Sequence, residues 1–97
     1  MPTYQERMHK ENLAVTLKCI LDCKRNQFKV KNLKSELKLD GYLLSACCRS
    51  LAKDGYLKVE RSNKPTYFVE NPELLKSYYE EIKVEVGKEF VELVLGE

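Results

Sequence analysis

The chain is poor in histidine: His9 is the only imidazole among its 97 residues. That leaves few constellations with the usual general base or the usual metal ligand. The four cysteines, Cys19, Cys23, Cys47 and Cys48, contain no Cys-x-x-Cys pair. Adjacent Cys47 and Cys48 are a poor arrangement for two ligands of one tetrahedral zinc. All four read as small buried thiols in a reducing compartment, although Cys19 and Cys23 stand one helical turn apart and an oxidised pair there is conceivable. There is no glycine-rich phosphate loop and no Cys/His/Asp spacing that suits nucleophilic catalysis. No apolar run approaches the roughly 20 residues that span a bilayer. The opening Met-Pro-Thr-Tyr-Gln-Glu-Arg lacks the apolar segment of a secretory signal. These absences argue against an enzyme, a metal or cofactor, and a membrane partner. They point to a cytoplasmic protein.

What is present is globular in composition: 43% hydrophobic with 33% charged, enough for one modest core and a solvated surface. The net charge is only +2, but it is unevenly laid out. Residues 1–67 hold 14 Lys/Arg against 7 Asp/Glu, a balance of +7; residues 68–97 hold 3 against 8, a balance of −5. A basic body with an acidic C-terminal segment suits a polyanionic partner for the body.

The organising stretch runs from Asp40 to Val59. Leu44, Cys47, Cys48 and Leu51 fall at i, i+3, i+4 and i+7, one apolar stripe of a helix over about Gly41 to Asp54. Asp40 is placed to cap its first turn, and Gly55 to close it in a left-handed conformation. Tyr56 to Arg61 then alternates as a half-buried strand. Before this stretch, residues 3 to about 25 read as a first helix with a capping-box start, Thr3 and Glu6. Its main stripe is Leu13, Leu17, Ile20 and Leu21. A second line, Met8, Val15 and Cys19, asks for another partner, either the C-terminal segment or another subunit. Phe28-Lys29-Val30 suits a very short strand. Asn32 suits the cap of a short helix, Leu33 to Leu37. After the central stretch, Ser62-Asn63-Lys64-Pro65 is turn chemistry and Thr66-Tyr67-Phe68-Val69 a returning strand. Asn71-Pro72-Glu73 starts another helix. Leu75, Tyr79, Ile82, Val86, Phe90 and Val94 (or Leu93) step on by three or four, which favours one long helix from Pro72 to Leu95. The competing pattern alternates through Ile82, Val84 and Val86, with a hairpin turn at Gly87-Lys88.

Helix, short strand, short helix, helix, strand, basic loop, strand, long helix is an order that resembles the winged helix-turn-helix superfamily, particularly small regulators of the MarR-like and PadR-like kind. The resemblance rests on Leu33-Lys-Ser-Glu-Leu37 as the first motif helix, on Tyr42 to Lys53 as the recognition helix, and on Leu51-Ala-Lys-Asp-Gly55-Tyr-Leu57 as the junction into the wing. It covers about Leu13 to Val69. It implies an α+β, mainly helical fold, with a three-helix core and a β-hairpin wing over residues 1–70. The long C-terminal helix over 71–97 would be a dimerisation element. It implies a DNA-binding transcriptional regulator acting as a homodimer on double-stranded DNA, its two recognition helices about one DNA turn apart.

Opposite the apolar stripe, the recognition helix carries Tyr42, Ser45, Ala46, Arg49 and Lys53. Arg49 is the best single candidate for a guanine edge or a phosphate, and Lys53 for backbone phosphate. The wing contributes Arg61, Ser62, Asn63 and Lys64, and the first motif helix contributes Lys31 and Lys34 as phosphate contacts. The dimer would bury Met8, Val15 and Cys19 against Leu75, Tyr79, Ile82, Val86, Phe90 and Val94. The recognition face is lightly charged and carries bulky Tyr42, with Leu43 at its edge, and the wing lacks glycine. Tyr42, Leu43 and the acidic tail suit an alternative role, a winged-helix protein-interaction module; a nucleic-acid-binding accessory factor of replication or phage biology is a further alternative that the sequence does not separate from a regulator.

Overall fold

Thr3 opens the first helix as its chemistry demands: it is extended, and its Oγ1 accepts a hydrogen bond from the Glu6 N–H at 3.2 Å. The computed structural model describes residues 3–33 and 40–97. Helix α1 spans Tyr4–Cys23 and buries Leu13, Ala14, Leu17, Cys19 and Ile20. Buried Thr16 keeps its hydroxyl satisfied by donating to the Asn12 carbonyl at 2.8 Å. Lys24 ends the helix in the left-handed region, at φ 52°.

Strand β1 is Gln27–Phe28 and helix α2 is Val30–Leu33. Here the expected order shifts. Asn32 does not precede the short helix but lies inside it, its Oδ1 accepting from the Lys29 N–H at 2.8 Å. The helix therefore begins at Val30 and not at Leu33, and the expected continuation to Leu37 lies outside the described residues. Helix α3, Gly41–Lys53, matches the sequence reading closely: the Asp40 carboxylate accepts from the Tyr42 N–H at 3.0 Å, and Leu44, Cys47, Cys48 and Leu51 are buried. At its end Gly55 takes φ +88°, and the Tyr56 N–H reaches back to the Leu51 carbonyl at 2.9 Å.

Strands β2, Lys58–Glu60, and β3, Thr66–Phe68, form an antiparallel hairpin with Val59 opposite Tyr67. Strand β1 adds to the other side of β3, with Phe28 opposite Tyr67, so β3 is central in the order β1-β3-β2. The Phe28 and Tyr67 rings stack at 5.7 Å, which ties the start of the chain to the hairpin.

Helix α4 runs from Pro72 to Val86, with the Asn71 side chain accepting from the Leu74 N–H at 3.2 Å. The expected single helix to Leu95 is not formed, and neither is the hairpin at Gly87-Lys88. Gly87 adopts φ 93°, ψ 156°, and breaks the helix. A short α5, Lys88–Phe90, follows, then a π-helical turn, Val91–Leu95. The break has a packing reason. It turns the segment back toward α1, where Leu95 becomes buried and the Tyr79 hydroxyl donates to the Glu97 carboxylate. Helix α4 packs along α1, and Tyr78 on α4 stacks on Tyr56 at 4.2 Å. One core cluster therefore joins α1, α3, the sheet, α4 and Leu95. Among the described residues the fold is mainly helical α+β, with five helices and a small three-stranded antiparallel sheet, compatible with a winged-helix-like topology.

Candidate nucleic-acid interface

The inward stripe of α3 dictates what its outer face offers. With Leu44, Cys48 and Leu51 in the core, Arg49 and Lys53 stand exposed and Tyr42 is 71% exposed. Ser45 and Ala46 are half-buried. The hairpin tip, Arg61 to Lys64, is exposed throughout, and the Ser62 hydroxyl donates to the Lys64 carbonyl at 2.9 Å, closing the turn.

Two concavities join these pieces. One, of about 430 Å3, lies where Tyr42 and Ser45 of α3 face Asn63 and Lys64 of the hairpin, with Lys31 on its third side. The other, of about 690 Å3, lies between Arg49 and Lys53 on α3 and Arg61 and Ser62 on the hairpin, floored by Val59 and Tyr67. Pro65 borders both. Of the sequence-predicted contact residues, Ala46 lines neither concavity, and Lys34 lies outside the described residues. Lys29 lines the first as well, a position that the sequence pattern puts in a short strand with Phe28 and Val30 and so does not mark as a contact. Its cationic neighbours Arg25 and Lys31 were the available signal.

The electrostatics separate the two sides of the molecule. On the α1–α4 side the cations other than Lys76 are engaged, among them Lys10 with Glu85 at 2.9 Å, Lys18 with Asp22 at 3.7 Å, and Lys83 with Glu80 at 2.9 Å and Glu97 at 3.5 Å. Among the described residues Lys29, Lys31, Arg49, Lys53, Arg61 and Lys64 make no ion pair. Burial pushes the Tyr67 phenol up, with the Cys48 thiol adding to the rise and the Arg49 charge opposing it. The unpaired guanidinium and ammonium groups are available for charge-assisted hydrogen bonds to phosphate oxygens.

The expected dimer surface fares differently. Cys19, Leu75, Tyr79, Ile82 and Val86 are buried in the chain's own core, so they cannot also cover a second subunit. The reason is the packing of α4 on α1 within one chain, where the C-terminal segment covers residues expected at a dimer interface. Val15 and Phe90 are half-buried. Met8 and Val94 remain exposed at 39% and 56%, with Leu93 at 75%.

No family model matches the chain, and no curated protein or solved structure matches it either. Among the described residues no group of three His, Cys, Asp or Glu side chains is placed to hold a metal ion, and no helix is long and apolar enough to cross a membrane.

Proposed function

We propose that this protein is a DNA-binding transcriptional regulator of the winged helix-turn-helix type. Helix α3 is the recognition helix in the major groove, and the β2–β3 hairpin is the wing on the backbone or minor groove. One observation carries the reading. The described cations outside ion pairs, Lys76 apart, all belong to the chain between Lys24 and Lys64, on and around α3, the hairpin and the β1–α2 segment. In this reading Arg49 pairs with a base edge or phosphate, Ser45 and Tyr42 hydrogen-bond beside it, and Lys53, Lys31 and the wing residues Arg61, Ser62, Asn63 and Lys64 hold phosphates. Homodimeric assembly belongs to the same reading, through the apolar surface left at Met8, Leu93 and Val94. The 71% exposure of Tyr42 favours a second reading, a winged helix that docks a protein through this aromatic.

A mobility-shift assay against a pool of random duplexes across a salt series tests the reading, with light-scattering mass measured alongside. Affinity should fall steeply with salt, and Arg49→Glu with Lys53→Glu should abolish the shift at every salt while leaving the thermal melt in place, since both side chains are exposed. Shift activity retained in the double variant would remove α3 from the interface. Loss of DNA binding in the wild type, with a captured protein dependent on Tyr42, would select the second reading.

A further inference from the structure

The basic surface does not stop at α3 and the hairpin. A third concavity, of about 680 Å3, opens on the other side of Lys29 and Lys31, beneath the turn that follows α1. Arg25, Asn26, Gln27 and Asn32 supply polar groups to its lining, and among the described residues no acidic side chain lines it. Lys29 and Lys31 line both this concavity and the one beside Tyr42, and Pro65 links that one to the Arg49 concavity. Neighbouring concavities thus share lining residues, and their cations follow in the order Arg25, Lys29 and Lys31, then Lys64, then Arg61, Arg49 and Lys53; the Asp40 carboxylate also lines the middle concavity, where it accepts from the Tyr42 N–H.

The fold builds this extension for reasons unrelated to surface charge. Lys24 turns the chain out of α1 at φ 52°, and the Val69 N–H bonds the Asn26 carbonyl at 2.8 Å, which holds the turn against the end of β3. Phe28, 2% exposed, anchors β1 in the core. The Asn32 Oδ1 is occupied by the Lys29 N–H, which leaves its amide protons free to be donated. Arg25 and Lys29 are thus mounted on a pinned segment, and neither takes an ion pair among the described residues.

We infer that Arg25 and Lys29 form a phosphate-binding ledge on which the backbone of duplex DNA continues beyond the α3 and wing contacts. The inference rests on the DNA-binding reading and extends it to residues outside the recognition helix and wing. The ledge lies in the turns on either side of β1 and not on α3, so it positions the duplex without reading sequence. Its chemistry is that of point and forked cations on phosphate oxygens, flanked by amide donors. The molecule is 36 Å in its longest dimension, about the length of one DNA turn.

The test compares wild type, Arg25→Gln with Lys29→Gln, and a control, Lys76→Gln with Lys88→Gln on α4 and α5, binding random 30-base-pair duplex from about 50 to 200 mM salt. Each lost phosphate contact lowers the slope of log affinity against log salt by about 0.9. The ledge variant should therefore lose about 1.8 from that slope, so that its affinity falls about 10-fold less than the wild type's over this range. Its ranking of selected sequences should not change, and the control should keep the wild-type slope. A wild-type slope in a ledge variant with an unchanged melt overturns the ledge while leaving the DNA-binding reading standing. A slope loss with a changed sequence ranking also overturns it, because the two residues would then read bases. No binding by the wild type at 50 mM salt overturns both.

Discussion

Cys48 lies on the inner face of α3 at 0% exposure with Cys47 beside it, and loss of hydration pushes its thiol up to about 12, the neighbouring Cys47 adding to the rise. Burial raises Cys47 as well, against the opposing hydrogen bond with Thr16. Alkylation needs the thiolate, so both groups are inert while the protein is folded. Cys23 is half-buried, its thiol donating to the Ile20 carbonyl at 3.1 Å. Iodoacetamide at about pH 8 should label Cys23 first, and Cys47 and Cys48 only at the rate of global unfolding. Peptide mapping checks this, and native-state labelling of Cys48 as fast as Cys23 would contradict it. At this scale the sequence was informative. Spacing alone placed Cys47 and Cys48 on the inner stripe, and the thiol side of α3 is where that stripe packs. It was less informative about Asn32, because a residue that caps a helix and one that bonds back to the preceding N–H have the same local chemistry.

At the scale of elements, the decisive position is Gly87. Periodicity through Ile82, Val86, Phe90 and Val94 continues across it, and that is why the sequence favoured one long helix. The structure places Gly87 at φ +93°, a conformation that side chains with a Cβ rarely adopt. Nothing lies within 4 Å of a Cβ built there, so the cost of substitution is conformational and not a collision. Gly87→Ala should lower the unfolding free energy by about 1 kcal/mol. Urea denaturation followed by circular dichroism checks the loss. Unchanged or greater stability would mean that the helix prefers to run straight. The ends of α3 and α4 were legible because caps are local: Asp40, Gly55 and Asn71 each act within three or four residues. The break at Gly87 was not, because what favours it is distant. Leu95 has to reach the α1–α4 seam, and Glu97 has to meet Tyr79 and Lys83.

Over the whole molecule, proton binding favours the folded state at neutral pH. Burial raises Cys47, Cys48, Tyr67, Tyr78 and Tyr79, and the hydrogen bond to Glu80 raises Lys83. Each of these groups holds its proton more tightly folded than unfolded. Their contribution is therefore complete below the unfolded values and is lost as pH rises, starting near the ordinary thiol value of 9.0. Glu97 works in the other direction. The Tyr79 hydroxyl holds its carboxyl below the ordinary 4.5, so its contribution is present above that value and is lost on acidification. The melting temperature should hold from about pH 6 to 8.5 and fall steadily from about pH 9 to 11. A flat profile across the alkaline range would contradict the burial of these groups.

The sequence by itself determined the local elements: α1, α3 with its caps and stripe, the β2–β3 hairpin, and the start of α4. Each depends on hydrophobic period and on hydrogen bonds between near neighbours, and both are written in consecutive residues. It also identified the cations of α3 and the hairpin as a candidate surface, since an inner stripe leaves only the opposite face. Only the tertiary structure decided which apolar line met which. Packing α4 on α1 buried Cys19, Leu75, Tyr79, Ile82 and Val86 within one chain, where the sequence allowed them to face a second. It likewise decided that β1 joins the hairpin and that Arg25 and Lys29 line one concavity. Strand pairing and core contacts across 40 residues of chain depend on the balance of all buried surface at once, and no window of sequence contains that balance.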